Sequence, residues 1–289
     1  MRRLIALTLA LLMALSLCAC GGEAAKLDVS TAKSIADLKG AKIAAQSGTF
    51  HADAMAQIPE VQSQTLPEFA DLLTALKAGT IDGYIAEEPT AIEACLSDES
   101  LAYLHLVNND TGFAATDADV GIAVGLKTGN ELRDQINAIL DEISTETRSE
   151  LMNQMVQLSA GKEVTSLALT SEAPANPTGT LKVAMECAYA PFNWTEMDNP
   201  SVGAVAISGE GKENMYANGY DVQIAQYVAN KLGMTLEIYA IEWDGLIPAL
   251  DSGAVDAIVA GMSPTAEREE QIDFTNVYYS SNLVVIYKK

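Results

Sequence analysis

The stretch EWDGLIPALDSGAVDAIVAGMSPTAERE, at residues 242–269, decides the fold. Its pattern predicts a helix over residues 244–250, a buried strand over 257–260 and a second helix over 264–271. The rest of residues 181–289 continues this alternation of short strands and helices. Strands are expected at 181–185, 236–239 and 283–287, and a helix at 221–232 that ends at Gly233. Such alternation indicates an α/β lobe with a mixed sheet flanked by helices.

A second α/β pattern occupies residues 34–124. It contains IADLKGAKIAAQSGTF at 35–50 and LTALKAGTIDGYIAEEP at 73–89. Strands are expected at 41–46, 81–86, 101–107 and 120–126, and helices at 69–78 and 90–96. Residues 125–161 are expected to hold a crossover followed by helices over 131–158, with a break near 144–147. A linker over 162–180, rich in Ser, Thr, Ala and Pro, follows, and a surface hairpin is expected within the Gly- and Asn-rich segment 194–219.

The first nineteen residues predict an export signal. Arg2 and Arg3 precede an apolar run over 4–17, and small residues follow it. The sequence LCACG at 17–21 resembles a lipoprotein processing site, which makes Cys20 the expected lipidated residue. A plain secretory signal with incidental cysteines is the alternative. Residues 20–33 are expected to form a short polar tether.

Composition excludes several classes of partner. The chain has 17 Lys and Arg against 39 Asp and Glu, a formal net charge of −22. A surface this acidic repels nucleic acid and anionic lipid headgroups. Cys95 and Cys187 fall in different predicted lobes, so no disulfide is expected, and the cysteines and histidines show no metal-ligand spacing. No cofactor is expected, and His51 and His105 are expected to be structural or exposed.

The motifs quoted above resemble those of extracytoplasmic amino-acid-binding proteins, the substrate-capture subunits of ABC importers (solute-binding family 3). The resemblance implies a two-lobed type 2 periplasmic-binding fold that closes on its ligand. In that family the Tyr/Trp/Arg-bearing lobe opens the chain, whereas here it comes second. The order therefore predicts a circularly permuted fold, with one remaining crossover within 120–127 and the helices after it packed on the lobe formed by 181–289.

A free amino acid presents a carboxylate, an ammonium group and a side chain. Arg268 is the expected carboxylate ligand, because a guanidinium group can donate two parallel hydrogen bonds. The turn from Gly261 to Ser263 leads from a strand into a helix start, where N–H groups converge on an anion. The resemblance implies that this turn and arginine hold the α-carboxylate. From the first lobe, Thr49 and Phe50 follow a strand and are expected to offer further N–H donors.

The remaining positions follow from the resemblance. Glu87 stands where the family has an aspartate that takes the ligand's ammonium group, and the extra methylene requires a recessed pocket or a shifted ligand. Tyr189 and Trp243 are expected to sandwich the ligand side chain, since aromatic faces suit aliphatic stems and cations. Glu186 is expected at the far end of the ligand, where a carboxylate favours a cationic or amide side chain.

The predicted function is capture of a polar, basic amino acid, with glutamine as the reserve ligand, by a monomeric lipid-anchored protein on the outer face of the cell membrane. Its expected partners are the amino acid and an ABC permease with its ATPase. Two alternatives remain open: an exported dehydratase-like enzyme on the same scaffold, and a ligand-sensing partner of a membrane receptor. The enzyme would need a site for two carboxylates, whereas Glu87 and Glu186 are both acidic.

Overall fold

The structure, a computed structural model, describes residues 27–289. The predicted export signal, Cys20 and the first residues of the predicted tether lie outside the described residues. The strands are numbered in chain order as follows: β1 (Lys42–Gln46), β2 (Gln62–Leu66), β3 (Gly83–Glu87), β4 (Leu101–Leu104), β5 (Gly121–Ile122), β6 (Gly125–Leu126), β7 (Thr180–Met185), β8 (Ala188–Tyr189), β9 (Asn193–Met197), β10 (Val205–Ala206), β11 (Met215–Asn218), β12 (Thr235–Ala240), β13 (Ala257–Ile258), β14 (Asp273–Phe274), β15 (Tyr279–Ser280) and β16 (Leu283–Lys288).

The α-helices are numbered in the same way: α1 (Phe50–Ala54), α2 (Phe69–Ala78), α3 (Glu88–Ser97), α4 (Asp117–Val120), α5 (Leu132–Asp141), α6 (Thr145–Ser159), α7 (Tyr220–Lys231), α8 (Leu246–Asp251) and α9 (Ala266–Glu269). Short 3₁₀ turns occur at Val29–Thr31, Ile35–Leu38, Met55–Gln57 and Trp243–Gly245. None of the helices between residues 27 and 289 has the length and apolar character of a membrane-spanning segment.

Helix α2 shows how the sequence produces these elements. Its buried residues Phe69, Leu72 and Leu76 recur at helical spacing and form one apolar face. The helix ends because Gly79 adopts a left-handed conformation with φ of 72°, and its N–H caps the carbonyl oxygens of Ala75 and Leu76. The apolar face packs on β1 and β3, which places the start of the helix beside the ends of those strands.

The first lobe, called the Glu87 lobe, is built on a five-stranded sheet in the order β2-β1-β3-β16-β4. Strands β1, β2 and β3 are parallel, whereas β16 is antiparallel to both β3 and β4. The expectation that all of 181–289 lies in the lobe of Arg268 is wrong for this last strand. Its apolar run is buried on both faces, and the gap between β3 and β4 provides that environment.

The second lobe, called the Arg268 lobe, contains a five-stranded sheet in the order β12-β7-β13-β6-β14. A smaller sheet in the order β10-β11-β9-β8 lies beside it. Strands β9 and β11 are antiparallel, from the Met215–Met197 pair to the Asn218–Trp194 pair, so the hairpin expected in the Gly- and Asn-rich segment is confirmed. The two lobes and their mixed sheets establish the α/β class that the sequence predicts.

The chain crosses between the lobes twice. Strand β5 leads from the Glu87 lobe to the Arg268 lobe, and β15 leads back. The two strands pair antiparallel, with Ile122 opposite Tyr279 and Gly121 opposite Ser280. The expectation of a single crossover is therefore wrong, because the return of β16 to the first sheet requires a second one. The hinge is a two-strand connection.

Of the two helices after the first crossover, α5 packs on the Arg268 lobe as expected, whereas α6 packs on both lobes. Helix α5 lies against α7, and α6 lies against α7 and also against α3 of the Glu87 lobe. Arg148 of α6 donates to the carbonyl oxygen of Tyr278 at 2.8 Å, just before the returning crossover. Residues 162–179 contain no helix or strand, yet Leu169 is buried and Asn230 Nδ2 donates to Ser171 Oγ at 2.9 Å. The predicted linker thus lies along the surface of the Arg268 lobe.

Candidate functional site

The two lobes meet at a small cavity. Eight of the nine residues that the sequence proposes as ligand contacts line it: Thr49, Phe50, Glu87, Tyr189, Trp243, Gly261, Ser263 and Arg268. Three further residues, Gln46, His51 and Phe69, complete the lining. Glu186 does not line the cavity, but Gln46 connects it to the cavity wall. Elements from both ends of the chain therefore converge on one site.

Arg268 lies in the short helix α9 and is partly buried. Its Nη1 donates to the carbonyl oxygen of Ser263 at 2.8 Å, and its Nη2 donates across the cleft to that of Gly48 at 2.9 Å. The guanidinium carbon lies 5.2 Å from the ring centroid of Trp243. Burial lowers the pKa of Arg268 to about 10, so the group remains a cation at neutral pH. Asp53 and Glu267 act on this cation through their charges, but the hydrogen bonds of the guanidinium group go to neutral carbonyl oxygens, and a carboxylate would be a stronger acceptor.

The turn before α9 depends on a glycine. Gly261 has φ of 63°, and a Cβ atom there would lie 3.3 Å from two ring carbons of Tyr189. Beneath the turn, the fully buried Asp221 accepts hydrogen bonds from the Gly261 N–H, from Tyr278 Oη at 2.6 Å and from Asn193 Nδ2 at 2.8 Å. Burial raises the pKa of Asp221 to about 7 despite these bonds. Sequence reasoning saw Asp221 only as the first residue of a helix, although it holds the turn in place.

Glu87 and His51 form a buried pair in the Glu87 lobe. His51 Nε2 lies 3.0 Å from Glu87 Oε1, and both side chains are less than a tenth exposed. Glu87 stands at the end of β3, and His51 lies in the first turn of α1, which follows β1. Because β1 and β3 are adjacent parallel strands, their carboxyl ends bring these two residues together.

Three buried polar atoms at this site have no hydrogen-bond partner. Among the described residues, the buried side-chain nitrogen and oxygen atoms without a partner are His51 Nδ1, Glu87 Oε2 and Tyr189 Oη. All three residues line the same cavity. Native structures rarely leave buried polar groups unpaired, since each such group loses its hydration without compensation. Their concentration at one cavity indicates a site that takes a polar ligand.

Aromatic rings form one wall of the site. Tyr189 of the Arg268 lobe stacks on Phe69 of the Glu87 lobe, with ring centroids 4.0 Å apart and planes inclined by 18°. Its other neighbour is Phe192, at 5.1 Å. Trp243 donates from Nε1 to the carbonyl oxygen of Gly48 at 3.1 Å. Both aromatic residues proposed from the sequence are therefore at the interface between the lobes, and Phe69 is a third that the sequence did not reveal.

Glu186 bridges the lobes from just outside the cavity. Gln46 Nε2 donates to its Oε1 at 2.7 Å. Burial raises the pKa of Glu186 to about 7, the bond from Gln46 lowers it, and the nearby carboxylates of Glu68, Asp244 and Glu242 raise it further. A positive charge close to Glu186 would relieve both the burial and the repulsion.

The mouth of the cleft is acidic. Beside the cavity lies a surface depression that shares several of its lining residues and is also lined by Asp53, Asp244, Asp251 and Glu267. This arrangement attracts cations towards the site. In the described part of the chain, no group of three or more His, Cys, Asp or Glu residues is arranged to hold a metal ion.

His51 lines the cavity, although the sequence analysis did not place it there. It was expected to be structural or exposed, and His105 does have an exposed side chain. The available signal was its position, three residues after Gly48 at the end of a buried strand, where parallel sheets place their ligand sites. The sequence around His51 did not indicate its pairing with Glu87, because the two residues are 36 positions apart.

Part of this chain is similar to known extracellular binding proteins. Residues 208–289 match the family model of the bacterial extracellular solute-binding proteins, family 3. The arginine-binding extracellular protein ArtP of Bacillus subtilis (strain 168) is 36% identical over 101 residues, 35% of this chain and 33% of that protein. A probable histidine-binding protein of Campylobacter jejuni is 36% identical over 107 residues, 37% of this chain and 35% of that protein.

The matches are partial. The L-cystine-binding protein TcyJ of Escherichia coli (strain K12) is 32% identical over 146 residues, 49% of this chain and 48% of that protein. A solved ancestral arginine-binding protein bound to arginine is 34% identical and covers 32% of this chain and 34% of that chain, with a TM-score of 0.25. The chain spans about a third to a half of the length of these curated relatives.

Proposed function

We propose that this protein captures a polar, basic L-amino acid between its two lobes and delivers it to an ABC importer. The observation that carries the proposal is the cavity between the lobes. It combines a partly buried guanidinium group with three buried polar atoms that have no partner within the described residues. The names of the relatives, which include arginine-, histidine- and cystine-binding proteins, support the class of ligand.

The proposed ligand contacts follow from the geometry. The α-carboxylate binds Arg268 in place of the two carbonyl oxygens that the guanidinium group contacts in this structure. The N–H groups of Ser263, Thr49 and Phe50 complete this subsite. The ammonium group binds Glu87 through its unpartnered Oε2. The side chain then runs between the aromatic residues towards Glu186.

The cavity suits binding better than the dehydratase alternative. An enzyme acting on a diacid needs a second cation, and the charged residues that line the cavity are Arg268, Glu87 and, if protonated, His51. The acidic mouth repels a dianion as well.

We propose that the protein acts outside the cytoplasm, anchored through a lipid on Cys20, and that it works as a monomer with a permease and its ATPase rather than as a sensor.

A ligand screen tests the proposal. At about a hundred times its dissociation constant, a ligand adds roughly 2.7 kcal/mol to the free energy of unfolding. We expect arginine and lysine to raise the unfolding temperature, glutamine to do so less, and aspartate and glutamate to have no effect. An acidic side chain near Glu186 leaves like charges facing each other. The measurement is thermal unfolding of residues 27–289 with each amino acid.

Glu186→Gln provides the matched variant for this screen. It keeps the side-chain shape and removes the charge, so the preference for basic over acidic ligands should narrow. Stabilisation of the wild-type protein by aspartate or glutamate, without any effect of arginine, lysine or glutamine, would overturn the assigned ligand class.

We also propose that the chain is a circular permutant of the family's usual order. Leu27 and Asp28 line the same surface depression as Lys288 and Lys289, so the two ends of the described chain are neighbours. Both ends belong to the Glu87 lobe, and the linker at 162–179 joins α6 to β7 on the Arg268 lobe. Neighbouring ends are the geometric condition that lets a chain be opened elsewhere without loss of its fold.

Restoring the usual order tests the permutation. A variant would run from residue 180 to 289, continue through a short Gly/Ser linker and finish with residues 27–161. We expect it to fold and to bind the same amino acid with the same affinity within a few-fold, because every strand pairing is preserved. Circular dichroism and calorimetry measure both properties. A rearranged chain that fails to fold, while the original order folds, would disprove the proposed topology.

A further inference from the structure

We propose that His51 is a second recognition residue for the ligand's ammonium group and forms, with Glu87, one composite acceptor site. This inference rests on the proposed function and assigns a ligand contact to a residue outside the expected set. His51 is 6% exposed and lines the cavity together with Glu87 and Arg268. Its Nε2 is engaged by Glu87 Oε1 at 3.0 Å, whereas its Nδ1 has no partner.

The chemistry of the pair fixes what each atom can offer. With the Nε2 proton directed at the Glu87 carboxylate, Nδ1 of the neutral imidazole ring carries a lone pair and is an acceptor. Glu87 retains Oε2 as a second free acceptor. The Tyr189 hydroxyl oxygen is the third unpartnered atom, and it too can accept. The site therefore offers three atoms that can accept a hydrogen bond.

A primary ammonium group supplies three N–H donors. Each of the three unpartnered atoms can accept one of them, which would satisfy the whole set with a single charged group. A hydroxyl, an amide or a methylated amine supplies fewer donors and would leave at least one buried acceptor unpaired. The number of acceptors thus favours an unsubstituted α-amino group over its alkylated forms, and His51 is one of the residues that makes this distinction.

A purely structural role for His51 is the competing explanation. The ring contacts the edge of Phe69 at 6.1 Å and holds Glu87, and either contact alone would account for its burial. Two substitutions separate the roles. In His51→Gln the side-chain amide can still reach Glu87 but the acceptor at the Nδ1 position is lost. In His51→Asn an acceptor remains near the Nδ1 position but the reach to Glu87 is lost.

The affinity test uses L-arginine and Nα-methyl-L-arginine as probes in isothermal titration. We expect His51→Gln to weaken arginine binding by about 10- to 100-fold, the effect of one hydrogen bond to a charged group. We expect Nα-methylation of arginine to weaken its binding to the wild-type protein strongly. The same methylation should weaken binding to His51→Gln much less, because this variant already lacks the acceptor that would lose its N–H donor. His105→Gln, on an exposed histidine, is the matched control and should bind like the wild type.

A spectroscopic measurement keeps the proposal testable even if a variant does not fold. The chain contains two histidines, His51 and His105. In an NMR spectrum of protein labelled with ¹⁵N-histidine, His51 is therefore the residue under test and His105 is the control. Arginine should shift the Nδ1 resonance of His51 and leave that of His105 unchanged.

The failure of this inference can be told apart from failure of the proposed function. Wild-type protein that binds arginine and Nα-methyl-arginine equally well, or an unchanged His51 Nδ1 resonance in the arginine complex, would overturn the role of His51 and leave amino-acid capture intact. Wild-type protein that binds no amino acid would overturn both.

Discussion

Arg268→Ala should abolish amino-acid binding while the protein still folds. Removal of one member of a desolvated charge pair costs about 2–5 kcal/mol, which corresponds to a loss of affinity of roughly 30-fold to several thousand-fold. Folding should persist because the guanidinium group donates only to the carbonyl oxygens of Ser263 and Gly48, and ion pairs within the described residues do not include it. Isothermal titration with arginine measures the first effect, and thermal unfolding the second.

Two further variants give this result its meaning. Arg268→Lys keeps the charge but cannot make the two-pronged contact, so it should recover little of the affinity. Arg133→Ala removes a half-exposed arginine that pairs with Asp273 at 3.5 Å, and it should bind like the wild type. If Arg268→Ala retains affinity within a few-fold of the wild type, the carboxylate subsite is elsewhere.

Gly219→Ala should destabilise the protein by about 2–6 kcal/mol, the sum of backbone strain and overpacking. Gly219 has φ of 133°, and a Cβ atom there would lie 2.2 Å from the carbonyl oxygen of Phe192 and 2.6 Å from its carbonyl carbon. Both are backbone atoms, so neither can move without displacing the chain at the base of the site. The shift in the midpoint of urea unfolding measures the loss.

Gly211→Ala is the matched control for this effect. Gly211 also has a positive φ, of 75°, but a Cβ atom there would meet nothing within 4 Å. Only the backbone cost of about 1–2 kcal/mol is then expected. If the two variants lose the same free energy of unfolding, the close approach of residue 219 to Phe192 does not contribute to the destabilisation. Because Gly219 immediately precedes the start of α7, a folded Gly219→Ala protein should also displace Asp221 from the Gly261 turn.

The local elements could be predicted because each carries its own signal in the sequence. The helix expected at 69–78 occurs as α2 with the same bounds, since its apolar spacing and its terminal glycine agree. The strand expected at 181–185 occurs as β7. The bounds of short elements were predicted less accurately. The helix expected over 264–271 is the shorter helix α9. The strand expected over 120–126 is divided into β5 and β6, where the chain passes from one lobe to the other.

The assignment of elements to lobes could not be predicted in the same way. The apolar run of β16 specifies a buried strand but carries no information about which sheet receives it. The pairing of β16 with β3 and β4 depends on the whole fold. The same limit explains His51 and Glu87, which meet only because β1 and β3 lie side by side. The resemblance to a family identified the residues that the family shares, and His51 was not among them.

The central position of β16 has a consequence for the order of folding. The strand that lies between β3 and β4 follows β4 by more than 170 positions in the sequence, so the sheet of the Glu87 lobe cannot be completed until that distant segment has been synthesised. Such distant pairings slow folding and leave unpaired strand edges exposed in the meantime. The Arg268 lobe has most of its sheet in one continuous segment and can form first. On the ribosome, the nascent Glu87 lobe would then be the part of the molecule that most needs protection from aggregation.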